Sequence, residues 1–213
     1  SNFSAPNWTL TIADACDYIF KVADSLGKPA IVNLSLGTYF GSHDGNDPAA
    51  EAMEAMLDAQ SGRIIVAAAG NSGLSGKNHL HNVVTSDTSF VWFKNNPSGN
   101  FGANTIYFDL WSDVASANFD FGFAADRPAP FYDLRGTTPF HDALATAGSV
   151  LYDTIWNNGN QIATIESYPT IIGSNFNLQV VFTQVDSTSY LYRFMTTNPG
   201  EYDIWSGAWH GFN

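Results

Sequence analysis

The first third of the chain alternates between helical and strand-like hydrophobic patterns. Thr11 and Asp14 predict a capping box at a helix start. An apolar stripe at helical spacing follows, at Ile12, Ala15, Ile19, Val22, Ala23 and Leu26. Gly27 favours a left-handed helix end, and Pro29 prevents the helix from continuing. The pattern therefore predicts an amphipathic helix near the beginning of the chain.

Two apolar runs follow, at residues 30–36 and 64–69, and each is typical of a strand buried on both faces. Between them, Asp47 and Pro48 form the cap and first position of a second helix. Its predicted inner face consists of Ala52, Met53, Met56 and Leu57. Strand, helix and strand in this order predict a right-handed parallel crossover.

From about residue 85 the pattern changes to short aromatic and β-branched runs separated by turn residues. Strict alternation is clear at 119–123 and 178–182, where apolar residues occupy every second position. The predicted strands are Ser89–Phe93, Thr105–Trp111, Asn118–Phe123, Ser149–Trp156, Gln161–Ser167, Asn177–Gln184, Tyr190–Met195 and Glu201–Trp205. Such a series without helices predicts an antiparallel sandwich or jelly roll. We expect two domains, residues 1–80 and 81–213, with the break near Leu74–Val84.

The composition limits the partners and the cysteine chemistry that we expect. Hydrophobic residues make up 45% of the 213 residues, enough for a sizeable core. The 20 acidic and 8 basic residues give a net charge of -12, which argues against nucleic acid and anionic membranes as partners. Cys16 is the single cysteine, so an intramolecular disulfide and a cysteine-based zinc site are both excluded. It lies among the apolar positions of the first helix, where we expect a buried, inert thiol.

Candidate chemistry lies where the two apolar strands end. Val32–Gly37 and Val66–Gly73 both run into small residues and glycine, and ligands of parallel sheets bind at these carboxyl ends. Asn71 follows the second strand, and its side-chain amide can donate to a developing oxyanion. The alternative is an ordinary strand-ending turn in which Asn71 merely tolerates a positive φ angle.

The order of these two segments, with a helix between them, resembles the subtilisin-like serine proteases (subtilases) over about residues 10–75. The resemblance implies an α/β parallel core fragment in which Ser35, Leu36 and Gly37 form one wall of the substrate pocket. Ala68, Ala69 and Gly70 match the opposite wall, and Asn71 matches the oxyanion-hole donor. It also implies a peptide or protein substrate, no cofactor or metal, and a parent protein that is secreted or held in a bacterial cell envelope.

A narrower resemblance comes from the loop Gly41-Ser42-His43-Asp44-Gly45. It is similar to a loop in a subtilase branch that includes the clostridial germination proteases, some of which carry an inserted jelly roll. The resemblance implies that residues 81–213 are such an insert. The triad motifs of the family are missing, so we expect the chain to begin after the catalytic histidine, to end before the serine, and to be inactive alone.

Other candidate residues have simpler interpretations. His79 and His81 lie two positions apart without an obvious third ligand, so zinc is not expected. His43-Asp44 and His141-Asp142 are interpreted as loop and turn residues. Most tryptophans are expected in the core, although Trp92, Trp111, Trp156, Trp205 and Trp209 could also form a sugar-stacking face. A non-catalytic module that binds carbohydrate or protein is therefore the competing function.

Overall fold

A computed structural model describes residues 5–70, 79–85, 87–95, 104–186, 189–206 and 210–212. The chain divides into two compact units, Ser1–Asn71 and Ser72–Asn213. Two helices lie in the described part of the first unit, and the described part of the second unit consists of β-strands and one short 3-10 helix, Val114–Ser116. The fold is thus β-rich. Neither described helix combines the length and the apolar character that crossing a membrane requires.

The first helix, α1, spans Ala5–Ser25, so it begins before the predicted capping box. Thr11 and Asp14 lie inside it, and that predicted start is wrong. The helix ends as predicted at Gly27, which has φ +60°. The amides of Gly27 and Lys28 donate to the carbonyls of Asp24 and Ala23, both at 3.0 Å, which is a Schellman ending.

The buried face of α1 differs from the predicted stripe. Ala13, Cys16 and Phe20 are buried, with Ile12 packed beside them. The predicted positions Ala15, Ile19, Val22 and Leu26 are exposed instead. The helix carries apolar residues around more than half of its circumference, so periodicity alone could not select the face that packs. Burial raises the pKa of the Cys16 thiol, in agreement with the inert thiol expected there.

Two strands of the first unit, β1 (Ala30–Leu34) and β2 (Arg63–Ala67), pair in parallel, with Ala30 opposite Arg63 and Leu34 opposite Ala67. The connecting helix α2 spans Pro48–Asp58. Its cap is Asp47, as predicted, and a carboxylate oxygen of Asp47 accepts from the amides of Ala49 and Ala50. Met53, Met56 and Leu57 of α2 pack against the buried cluster that contains Val32 of β1.

The prediction that both strands are buried on both faces is wrong. Val32 is buried and Ile65 packs beside it on the face that the helices cover. On the opposite face, Ile31 is 70% exposed, and Ile64 and Val66 are each 50% exposed. The described first unit therefore has helices on one face of its parallel pair and uncovered apolar side chains on the other.

The second unit consists of two antiparallel sheets. The first sheet has the strand order β3-β13-β5-β11-β10-β9, and the second has the order β14-β4-β12-β6-β7, with β8 beside β6. The strands are β3 (His79–Val84), β4 (Ser89–Asn95), β5 (Thr105–Asp113), β6 (Asp120–Asp126), β7 (Leu134–Thr137), β8 (His141–Asp142), β9 (Leu151–Asn157), β10 (Asn160–Ile172), β11 (Asn175–Gln184), β12 (Leu191–Thr197), β13 (Gly200–Ser206) and β14 (His210–Phe212).

The two sheets pack face to face over an aromatic core. Residues at the alternating positions of 119–123 and 178–182 are fully buried, as predicted. Phe93 of β4 contacts Phe182 of β11 with ring centroids 5.1 Å apart, and Phe108 of β5 contacts Phe194 of β12 at 5.4 Å. These pairs join opposite sheets, so the unit is a β-sandwich.

All eight predicted strands are present with shifted ends, but four others were missed. β3 lies within the segment predicted as the break between domains, and β7, β8 and β14 are short. β10 continues to Ile172, five residues beyond its predicted end at Ser167. Pro169 lies within it, opposite Leu178 of β11. Short strands with few apolar residues have no clear period, and that is why the pattern did not show them.

Candidate functional site

The carboxyl ends of the two parallel strands lie side by side. Beyond their paired residues, the amide of Ala68 donates to the carbonyl of Leu34 at 3.0 Å, so parallel pairing continues past the end of β2. The residues that follow each strand, 35–37 and 68–70, are all exposed. The fold therefore brings the six residues predicted to bind substrate to one open edge.

The loop after β1 reaches the end of β2. Gly70 has φ +87°, and a Cβ built there would lie 3.4 Å from the hydroxyl oxygen of Tyr39. On the β1 side, Nδ2 of Asn33 donates to Oγ of Ser35 at 2.9 Å. A larger residue at 70 would thus be strained in its backbone and crowded by Tyr39. Tyr39 had no signal in the sequence, because a tyrosine in a loop has no distinguishing pattern.

Asn71, the predicted oxyanion donor, lies outside the described residues. The described residue that precedes Asn71 is Gly70, at the exposed end of β2.

The loop at 41–45 is a tight turn. Gly41, His43 and Gly45 have positive φ angles of +114°, +57° and +86°. Asp44 Oδ1 accepts from the Asn46 amide at 2.9 Å, and Oδ2 accepts from Nδ2 of Asn46 at 2.8 Å. Burial opposes ionisation of Asp44, but the hydrogen bonds that it accepts, among them those from Asn46, outweigh burial and lower its pKa. The turn role predicted for Asp44 is confirmed.

His141 and Asp142 have separate roles. Asp142 accepts from the amide of Ala145 at 2.7 Å through Oδ1, as a turn carboxylate does. Nε2 of His141 lies 2.8 Å from Oδ2 of Asp153, a partner twelve residues away. Ser149 and Ser174, which follow Gly148 and Gly173, are exposed and lie outside the strands.

His79 and His81 meet carboxylates on the neighbouring strand. Oδ1 of Asp203 lies 2.5 Å from Nε2 of His79 and 3.2 Å from Nδ1 of His81. Trp205 stacks on His79 with ring centroids 4.1 Å apart. Among the residues that the structure describes, no group of three or more histidine, cysteine or acidic side chains could hold a metal ion. The cluster is therefore an exposed set of histidine–carboxylate pairs.

The tryptophans are less buried than predicted. Trp111 is buried, and its Nε1 donates to Asp109 at 2.8 Å. Trp92 and Trp205 are half-buried, and Trp156 is exposed. Trp209 lies outside the described residues. The core-packing prediction is wrong for three of the four tryptophans whose side chains the structure describes, since these three alternate with inward-facing residues and so project from the outer faces of the sheets.

A buried carboxylate in the second sheet had no signal in the sequence. Asp126 is fully buried. Its Oδ2 accepts from Nε1 of Trp92 at 2.8 Å and from Nε of Arg193. Trp92, Asp126 and Arg193 belong to three strands, and their convergence depends on register: Arg193 lies opposite Trp92, and Leu191 lies opposite Asp126.

Comparison with known proteins gives no assignment. A scan against protein-family models found no match, and a search of curated proteins found none either.

Proposed function

We propose that this chain is an internal segment of a subtilisin-like serine endopeptidase, with a jelly-roll insert as its second unit. The observation that carries the proposal is the parallel register of β1 and β2. That register aligns Ser35–Gly37 with Ala68–Gly70 at one open strand edge. Substrates of parallel α/β enzymes bind at such edges.

The uncovered face of the parallel pair also supports the proposal. A parallel sheet is normally covered by helices on both faces. In the described first unit, Ile31, Ile64 and Val66 are exposed on one face of the sheet, and Ile19 and Val22 are exposed on α1. A larger α/β domain, of which this unit is one part, would cover both sets. The two strands would then be neighbours within a wider parallel sheet.

In this proposal the segment supplies binding and electrostatic stabilisation. The exposed backbone at 35–37 and 68–70 offers amide and carbonyl groups to an extended peptide, and the glycines let it approach closely. The side-chain amide of Asn71 donates to the oxyanion of the tetrahedral intermediate. The nucleophile, base and orienting carboxylate come from other parts of the complete polypeptide.

The proposal is tested with the complete polypeptide encoded by the gene that contains this segment. Asn71→Ala should lower kcat by about a hundred- to a thousandfold, which is the magnitude established for the corresponding asparagine of subtilisin. Asn71→Asp should lower it at least as much, because a carboxylate cannot donate and repels the developing charge. Asn160→Ala is the matched control, since Asn160 is an exposed asparagine of the second unit.

The competing turn role of Asn71 predicts the opposite result. If Asn71 only stabilises a strand-ending turn, Asn71→Ala lowers Tm and leaves turnover per folded molecule unchanged. Measurement of kcat and Tm on the same purified variants separates the two roles, and normal turnover in Asn71→Ala would exclude the proposed one.

A further inference from the structure

An aromatic–arginine surface lies on the outer side of the second sheet and its adjoining loop. We define this surface by six residues: Phe90, Trp92, Arg127, Phe131, Tyr132 and Arg193. It belongs wholly to the second unit, so a binding function of this surface is additional to the proposed protease function and does not rest on it.

Strand alternation places the sheet residues of this surface. Val91 and Phe93 of β4 point into the core and are buried, so Phe90 and Trp92 project outward. In β12, Tyr192 and Phe194 are buried and Arg193 projects outward between them, opposite Trp92. Arg127, Phe131 and Tyr132 come from the loop between β6 and β7.

Three of the four aromatic rings form a continuous set of contacts, and Phe131 adjoins Tyr132 along the chain. Phe90 and Trp92 lie edge to face with centroids 5.4 Å apart, and Trp92 stacks on Tyr132 at 5.5 Å. The guanidinium carbon of Arg193 lies 4.5 Å from the centre of the Phe90 ring. That of Arg127 lies 3.7 Å from the centre of the Phe131 ring. Phe90, Tyr132 and Phe131 remain 44%, 46% and 61% exposed, so their rings offer apolar area to a ligand.

Buried and exposed carboxylates hold the two arginines in place. Asp126 accepts from Nε of Arg193, and Asp133 accepts from Nε of Arg127 at 2.7 Å. Both described hydrogen bonds use Nε, which leaves the Nη groups of each guanidinium for a ligand. Because Asp126 also accepts from Trp92, one buried carboxylate orients an aromatic ring and a cation together. The surface is therefore preorganised.

The charge of the surface is unusual for this chain. The chain as a whole has 20 acidic and 8 basic residues. Arg135 lies beside the surface and pairs with Asp133, so three arginines, Arg127, Arg135 and Arg193, accompany two carboxylates, Asp126 and Asp133. The local balance is slightly positive on a strongly acidic protein, so it attracts a ligand with separated negative charges. This net positive charge is too small to hold a polyphosphate, because a polyphosphate needs several cations to neutralise its phosphates.

We propose that the aromatic–arginine surface is a binding site for an acidic glycan, a carbohydrate that carries carboxylates. A sugar ring has an apolar C–H face that stacks on the exposed rings. Its carboxylate accepts a paired hydrogen bond from the Nη groups of Arg193. A purely apolar peptide would leave the guanidinium groups unpaired and desolvated, which disfavours it.

The test is calorimetric titration of the full chain with two acidic probes, tetragalacturonate and sialyllactose, which distinguish a uronic acid from a sialic acid. Cellotetraose serves as the neutral probe and oligo-dT as the polyphosphate probe. We expect at least one acidic probe to bind, with affinity that falls as NaCl rises from about 50 to about 500 mM. Cellotetraose should bind at least tenfold more weakly, and oligo-dT should not bind.

Variants then locate the site. Phe90→Ala and Phe131→Ala remove exposed rings and should each weaken binding about fivefold to tenfold. Tyr152→Ala is the matched control, because Tyr152 is exposed on β9 of the other sheet. This variant should bind the acidic probe with the same affinity as the unmodified chain. Failure of both acidic probes to bind at millimolar concentration would overturn the proposal. The proposal would also be overturned if Phe90→Ala and Phe131→Ala bound the acidic probes as tightly as the unmodified chain does. Tighter binding of cellotetraose or oligo-dT than of the acidic probes would have the same meaning.

Discussion

Nε2 of His141 lies 2.8 Å from Oδ2 of Asp153, and this contact joins the two sheets of the sandwich. His141 belongs to β8, which pairs with β6 of the second sheet, and Asp153 belongs to β9 at the edge of the first. The Asp153 side chain is 8% exposed, so the imidazole stands where water would otherwise bond to Oδ2 of its carboxylate. The pair ties the sheets together at one side of the core.

His141→Ala should therefore destabilise the second unit. The variant leaves a largely buried carboxylate without its partner, and we expect a loss of about 1–3 kcal/mol in the free energy of unfolding. Urea denaturation measures it. His81→Ala is the control, since His81 also pairs with a carboxylate but is about half exposed, and should cost at most about 1 kcal/mol. Equal losses of unfolding free energy in His141→Ala and His81→Ala would show that the burial of Asp153 does not strengthen its pair with His141.

Gly136 of β7 packs tightly against β9. A Cβ at this position would overlap the carbonyl oxygen of Trp156 and lie 2.7 Å from Cγ2 of Ile155. Gly136→Ala should cost about 1–3 kcal/mol, because part of the clash is with backbone that cannot rotate away. Gly37→Ala is the matched control, since a Cβ there meets nothing within 4 Å. Thermal denaturation of the two variants should show a clear loss of Tm for Gly136→Ala alone.

The cap of α2 gives a prediction for the first unit. Asp47 accepts from two helix amides, so Asp47→Ala should cost about 1 kcal/mol. Asp58→Ala removes an acid from the last turn of the same helix, where a negative charge is unfavourable, and should be neutral or slightly stabilising. Chemical denaturation followed by circular dichroism distinguishes them. A loss for Asp58→Ala as large as that for Asp47→Ala would contradict the capping role of Asp47.

Local signals in the sequence were sufficient for several features of the fold. The α2 cap at Asp47, the left-handed Gly27 and the alternating phenylalanines of β6 each depend on near neighbours, and each is confirmed. The buried face of α1 was mispredicted, since it depends on what packs against the helix. β7 and β8 were missed because they gain stability from pairing with β6, which no local pattern reveals.

The candidate sites show the same limit. The strand ends at 35–37 and 68–70 could be located because each follows an apolar run. Three contacts could not be located from the sequence: Tyr39 with Gly70, Asp153 with His141, and Asp126 with Trp92. Each of them depends on strand register or on the path of a loop. The wrong core prediction for the tryptophans has the same cause: alternation, and not hydrophobicity, decides which side chain points outward.

The uncovered face of the parallel pair gives a test of the larger domain. In the isolated chain, Ile31→Asn should change the free energy of unfolding by less than about 0.5 kcal/mol, because Ile31 is exposed. In the complete polypeptide the same change should cost about 2 kcal/mol or more, if helices cover that face. Ile65 lies on the covered face, so Ile65→Asn should destabilise both the isolated chain and the complete polypeptide. An equally small effect of Ile31→Asn in both would argue against a wider sheet.

Labelling with a fluorophosphonate tests the central claim most directly, because this probe reacts with activated serine nucleophiles. The complete polypeptide should label at one serine that lies beyond residue 213, next to a Gly-Thr motif, and the isolated chain should not label. Mutation of that serine should abolish labelling. Absence of labelling in the folded complete polypeptide, or stoichiometric labelling of a serine within residues 1–213, would contradict the proposed function.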